Sequence, residues 1–232
     1  MKKFASLLVF SVLLNVQPVF AGSHGEESAV GPVKALEMLM DGNHRFASNG
    51  NVSHLRKMVS AKRRAETAHG QKPFAVVVAC ADSRVAPELL FDQGIGEIFV
   101  IRVAGNIAGA HELGSIEYAV EHLGVKLVMI LGHEHCGAVT ATYDAHVAGS
   151  KVPGNIGSLV DAIDPAVSAT LAKGDQGSKD ATIADCINEN VRMVAGQLES
   201  DSSIIREAVE KDGVKIVKAC YDLDDGTVTL FN

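Results

Sequence analysis

The sequence predicts an α/β fold: a central, mostly parallel five-stranded sheet with helices on both faces and an antiparallel edge strand. Three observations carry this. Short apolar runs rich in β-branched residues recur along the chain, as in strands buried on both faces. Segments with helical spacing separate them, the pattern of parallel βαβ units. Asp224-Asp225-Gly226, between the last two runs, is a tight-turn signal and turns the final strand antiparallel at an edge.

Before the first of these elements stands a different kind of segment. Met1-Lys2-Lys3 is basic, Phe4 to Val16 is almost wholly apolar, and Val19-Phe20-Ala21 puts small residues where a signal peptidase reads. The apolar run falls short of the about 20 residues of a spanning helix. Residues 1–21 are therefore expected to be a cleaved secretory signal, and 22–232 a single domain, periplasmic or secreted. Residues 22–30 are expected to be a loose leader.

Val33, Leu36, Leu39 and Met40 recur at helical spacing after Pro32, which suits a first turn, so a helix is expected from there to about Ala47. A second, basic helix is expected over His54–His69, its Arg56, Lys57, Lys62, Arg63 and Arg64 forming a solvated face. Neither carries much apolar surface, and both are expected to pack on a partner subunit. Strands follow at Phe74–Ala79, Glu97–Arg102, Lys126–Leu131, Val214–Ala219 and Thr227–Phe231. Helices are expected at Val85–Asp92, Glu112–Leu123, Cys136–Ala148, Ser158–Ala172, Ala181–Leu198 and Ser202–Lys211. Lys173–Lys179 is linker-like but too short to mark a domain boundary.

Composition narrows the function. The chain has 232 residues, 21 Lys and Arg against 28 Asp and Glu, a net charge of −7, and 5% aromatics. A nucleic-acid binder usually carries a basic face or stacking aromatics, so nucleic acid is not an expected partner. Beyond the leader nothing is apolar and long enough to span a bilayer. No C-x-x-C is present to support a thiol redox protein, and no H-E-x-x-H to support a metalloprotease.

Two clusters carry chemistry. Cys80-Ala-Asp82-Ser83-Arg84 follows the first buried strand, and Gly132-His133-Glu134-His135-Cys136-Gly137 follows the third. Both stand at the carboxyl ends of parallel strands, where open α/β sheets place their sites. Two thiolates and an imidazole are a donor set that zinc favours, and three protein ligands leave a fourth position open, as in catalytic sites. His133, three residues before Cys136, can reach an ion that Cys136 also holds; His135 is adjacent to Cys136 and reads as a rim residue. Two ordinary buried thiols, or a Cys80–Cys136 disulfide, are the competing readings. They leave Asp82, Arg84 and His133 unexplained.

With these motifs the sequence resembles the β-class carbonic anhydrases, from about Pro32 to the end and most strongly from Gln71 to Gly137. The resemblance implies one Zn2+ per chain on Cys80, His133 and Cys136, with Asp82 and Arg84 as the catalytic pair. Asp82 is itself a possible fourth ligand in a resting form. It implies a substrate pocket of Gln71, Phe99, Tyr118 and Gly137 shared across a homodimer or homotetramer, and reversible hydration of CO2 to bicarbonate by a zinc-hydroxide mechanism. Hydrolysis of CS2 or COS at the same site, or a non-catalytic zinc module, are the alternatives. A branch of the family with an inhibitory bicarbonate site has a tryptophan where this chain has Val77, and this chain has no tryptophan at all. The resemblance is therefore to the plant-like, open-site branch, from which Arg102-Val-Ala-Gly-Asn106 departs slightly. That branch also has a histidine matching His122, four residues after Tyr118 on the same helix, proposed there as a proton shuttle. Cys186 and Cys220 remain over and are expected to be separate thiols, since a helix and a strand rarely align two cysteines by chance.

Overall fold

The computed structural model describes residues 30–49, 52–174 and 177–232; the expected signal segment 1–21 and nearly all of the expected leader lie outside the described residues. The elements in chain order are α1 (Pro32–Asn49), α2 (Ser53–Met58), α3 (Ala61–Thr67), β1 (Ala75–Ala79), α4 (Pro87–Leu90) and β2 (Ile98–Arg102). A 3-10 turn (Ala104–Asn106) precedes α5 (Ala110–Glu121), β3 (Leu127–His133), α6 (Gly137–Ala148) and α7 (Ile156–Leu171). The chain ends with α8 (Lys179–Asp201), α9 (Ser203–Lys211), β4 (Lys215–Tyr221) and β5 (Val228–Phe231).

The strands form one five-stranded sheet in the order β2-β1-β3-β4-β5. The first four are parallel and β5 runs antiparallel to β4, as the sequence predicts. All residues of β1 and β3 are buried, which is why both read as unbroken apolar runs. Successive side chains alternate faces. Ala75, Val77, Ala79, Leu127, Met129 and Leu131 pack with Ala35 and Leu39 of α1 and with Leu90 and Phe91. Val76, Val78, Val128 and Ile130 pack against α5, α8 and α9 through Ile116, Val191, Val194 and Ile205. A third apolar cluster caps the carboxyl ends of the central strands: Cys80 and Cys136 with Val139, Ile163, Val167, Ile183, Cys186 and Ile187.

Several expectations need correction. Helix α1 belongs to the chain's own core: Ala35 and Leu39 are fully buried, and Asn43 donates to Leu90 O and Gly226 O and accepts from Val228 N. Helices α2 and α3, by contrast, bury no residue completely. The single helix expected over His54–His69 is broken after Met58. Its carbonyl is drawn off by Ile95 N, and Ser60 turns extended and caps α3 through Arg63 N. The helix expected from Val85 begins only at Pro87, because Ala86 precedes a proline and is extended (φ −120°, ψ 93°). The β4–β5 connection, expected as a tight turn at Asp224-Asp225-Gly226, spans residues 222–227. Asp222 Oδ1 accepts from Asp224 N and Asp225 N, and Asp222 N donates to Thr227 O, closing a longer loop that Asn43 grips from α1. Finally, β3 runs two residues past the predicted end and includes His133.

Candidate metal centre

The metal-ligand candidates are set by two neighbouring strands and one helix start. Cys80 follows β1 directly, and His133 is the last residue of β3, the strand hydrogen-bonded beside it. Cys136 caps α6. The topology thus brings residues more than fifty positions apart to one end of the sheet. A ligand atom from each of Cys80, His133 and Cys136 lies within 4.8 Å of the other two. All three residues are buried, at 4%, 0% and 1% exposure.

The histidine is the most informative of the three. Its Nδ1 lies 2.8 Å from Glu134 O. A carbonyl only accepts, so Nδ1 carries the proton and Nε2 of the neutral ring presents a bare lone pair. That Nε2 is fully buried and has no hydrogen-bond partner, a state that costs free energy unless something else binds there. With two sulfur atoms beside it, the donor set fits a soft or borderline divalent cation, zinc above all. The thiols are coupled. A hydrogen bond from Cys136 holds the Cys80 thiol far below its usual range, against the opposing effect of burial, and the N–H groups of Gly105 and Asp82 help. The same pairing, with burial, pushes Cys136 up, although the N–H groups of Ala138 and Val139 at the start of α6 favour its thiolate.

Asp82 stands at the rim. Arg84 grips it with two prongs, Nε to Oδ1 at 3.0 Å and Nη2 to Oδ2 at 2.8 Å, and the Arg84 N–H adds 2.9 Å to Oδ1. The Arg84 guanidinium holds the carboxyl well below the usual carboxylate range. Asp82 Oδ2 lies 4.0 Å from His133 Nε2, outside the three-residue ligand group and turned to Arg84. His135 also stays outside that group; it is exposed, takes the left-handed conformation at φ 51°, and its carbonyl lies 3.4 Å from Arg84 Nη2.

The remaining predicted site residues do not join this group within one chain. Gln71 is exposed in the loop before β1, and Gly137 is exposed at the start of α6. Phe99 on the edge strand β2 and Tyr118 on α5 meet at 6.4 Å between ring centroids, and Tyr118 meets His122 at 5.5 Å. All three line an open surface depression with His111 and Ile204, none of whose lining residues belongs to the Cys-His-Cys group. Cys186 and Cys220 are free thiols, as expected.

Three contributors escaped the sequence reading. Arg102 donates to Cys80 O (3.0 Å) and Asp82 O (2.7 Å), clamping the loop that carries the first motif. Gly105 N donates to Cys80 Sγ at 3.2 Å. Asn190 of α8 donates to Gly105 O at 2.8 Å. Arg102 and Gly105 lie in the segment that stood out for its departure from the family pattern; nothing near Asn190 in the sequence marks it.

Among the described residues no helix is long and apolar enough to cross a membrane. Comparison with known proteins gives one answer. The carbonic anhydrase family profile matches residues 75–228. Carbonic anhydrase 2 of Mycobacterium tuberculosis is 40% identical over 199 residues, covering 86% of this chain and 92% of its own length. The carbonic anhydrase of Mycolicibacterium smegmatis is 40% identical over 203 residues, with 86% and 93% covered. Among solved structures, the β-carbonic anhydrase CafA of Aspergillus fumigatus superposes with a TM-score of 0.67 at 24% identity, over 85% of this chain and 90% of that one. Fold, motif pair and relatives agree, and the chain belongs to the β-carbonic anhydrase family.

Proposed function

We propose that this enzyme catalyses CO2 + H2O ⇌ HCO3− + H+ at one zinc ion per chain, held by Cys80, His133 and Cys136. The observation that carries the assignment is the buried, unpartnered Nε2 of His133 beside two thiols. Zinc bound there supplies Lewis acidity, which brings the pKa of water from ~15.7 toward ~7. The chain's residues do the rest. The Glu134 carbonyl orients the His133 ring through Nδ1, as an outer hydrogen bond does for a metal-binding histidine. Asp82, kept ionised by Arg84, can only accept. It therefore selects an oxygen that bears a proton and turns that oxygen's lone pair toward CO2. Arg84 occupies both carboxylate oxygens and fixes their direction.

The substrate-side groups Gln71, Phe99 and Tyr118 lie, in this reading, in a pocket shared between two copies of the chain, giving a homodimer or a larger assembly. Tyr118 is 40% exposed and Phe99 is half-buried against the core, and both stand apart from the Cys-His-Cys group. A solved relative from Sordaria macrospora is described as tetrameric. Sedimentation of a fully active monomer would refute the shared pocket. The basic-then-apolar start of the chain supports export, with cleavage after Ala21. N-terminal sequencing of the protein from its native cell should begin at Gly22, and a chain beginning at Met1 would refute it. For the metal, wild type should hold one zinc per chain and Cys136→Ser should lose it; stoichiometric zinc in that variant would overturn the ligand assignment.

A further inference from the structure

We infer that Asn190 is a positioning residue for this centre: from α8 it pins the Gly105 turn so that the Gly105 N–H points at Cys80 Sγ. The inference rests on the zinc reading for its chemistry, and on hydrogen-bond geometry for its substance. Asn190 is 2% exposed, on a helix face it shares with Ile183, Ile187, Val191, Val194 and Leu198. A buried amide among apolar side chains is destabilising unless it is bonded. Its Nδ2 donates to Gly105 O at 2.8 Å, across 85 residues of sequence. The N–H of the same glycine donates to Cys80 Sγ at 3.2 Å. Gly105 sits at φ +73°, where glycine alone is unstrained, and glycine is also the residue with the most backbone freedom to lose. A turn built on it needs an anchor from outside, and the Asn190 amide supplies one at the carbonyl end of that residue.

The consequence is chemical. An N–H donated to a metal-bound thiolate withdraws charge from the sulfur and fixes the orientation of its lone pairs, and outer-shell partners of this kind change metal affinity by about 10–100-fold. Asn190 makes no contact with the thiol itself and acts through Gly105.

Asn190→Leu keeps the branched heavy-atom skeleton, though two methyls are bulkier than the amide, and removes the donor; Asn190→Ala removes the donor without added bulk. Three readouts are compared with wild type and with Ile187→Val, a packing change on the same helix that leaves the amide in place. The first is hydrogen exchange of the Gly105 amide in the metal-free protein, which should be protected in wild type and Ile187→Val and lose protection in the Asn190 variants. The second is zinc affinity in competition with a chromophoric chelator, which should fall by about tenfold. The third is the thiolate-to-metal charge-transfer band of the cobalt-substituted protein, which should move. An unchanged Gly105 exchange rate together with an unmoved cobalt band overturns the role of Asn190. Failure of wild type to bind zinc at all would instead sink the metal reading, and the exchange measurement would still decide what Asn190 does.

Discussion

Replacing Gly105 by alanine tests the local geometry of the centre in a way that can be worked through in advance. Two separate costs follow from the structure. The backbone stands at φ +73°, which for a residue with a Cβ costs about 1–2 kcal/mol. The added methyl would meet Ile163 Cδ1 at 2.5 Å, inside any permitted contact, and forcing that overlap costs about 1–3 kcal/mol more. Gly105→Ala should therefore destabilise by about 2–5 kcal/mol. The two parts are separable, because Ile163→Val deletes Cδ1. The remaining neighbours, Ala138 Cβ and Ile163 Cγ1, are both 3.4 Å away, which is tolerable. Ile163→Val alone should cost about 0.5–1.5 kcal/mol. In that background the alanine should cost only the backbone part, about 1–2 kcal/mol. Urea unfolding of the four proteins, with chelator and reductant so that metal affinity does not enter, gives the coupling as a double-mutant cycle. No coupling between the two sites, or a cost for Gly105→Ala well under 1 kcal/mol, would refute the reasoning.

Other consequences are simpler to check. Asp92 is fully buried and accepts from Leu55 N (2.8 Å), Arg45 Nε (2.6 Å) and His54 N (3.4 Å); burial raises its pKa, but these donors outweigh it and leave the carboxyl below its ordinary 3.8. Asp92 sits at φ 48°, a left-handed backbone that asparagine also tolerates, but Asp92→Asn loses the charge and turns one accepting oxygen into an NH2 that faces N–H donors, so it should cost about 2–3 kcal/mol. Because the folded pKa is the lower one, this deficit should be complete at neutral pH and shrink as acid takes the protein below 3.8; a deficit constant down to pH 2 would contradict the assignment. Arg84→Ala should raise the Asp82 carboxyl toward its ordinary value, read by carbon NMR titration of the metal-free protein, and an unshifted carboxyl would deny Arg84 its role. Thiol counting on unreduced, unfolded protein should find Cys186 and Cys220 both free; a peptide joining them would contradict the structure. His122, whose ring lies 5.5 Å from Tyr118, should support proton transfer to buffer: His122→Ala should slow in weak buffer and recover with added imidazole, while equal rates in both would leave it without that role.

Much of the frame was legible because its signals are local. β1 and β3 read as unbroken apolar runs because both faces of the central sheet are covered, and the two motifs could be placed at strand ends for that reason alone. What was not legible depends on partners far away in sequence. The break after Met58 is made by Ile95 N, and the long β4–β5 loop is shaped by Asn43 from α1. Two local signals were there to be used: Pro87, which forbids helix at the residue before it, and Ser60, a helix cap inside a predicted helix. Within the site, Cys80, Asp82, Arg84, His133 and Cys136 announce themselves by residue type and spacing. Arg102 and Asn190 act through backbone carbonyls, and such contacts leave no pattern in the sequence. Phe99 and Tyr118, far apart in sequence, line one surface depression away from the Cys-His-Cys group, a pairing that no local pattern encodes.

The central claim, metal-dependent hydration of CO2 by this chain, is tested most directly by stopped-flow mixing of CO2 with a pH indicator. Three samples are needed: the protein as isolated, the protein stripped by a chelator under reducing conditions, and the stripped protein given one equivalent of zinc. Acidification should be fast in the first, fall to the uncatalysed rate in the second and return in the third. Hydration that survives complete removal of zinc, or a zinc-replete protein that does not accelerate it, would contradict the account.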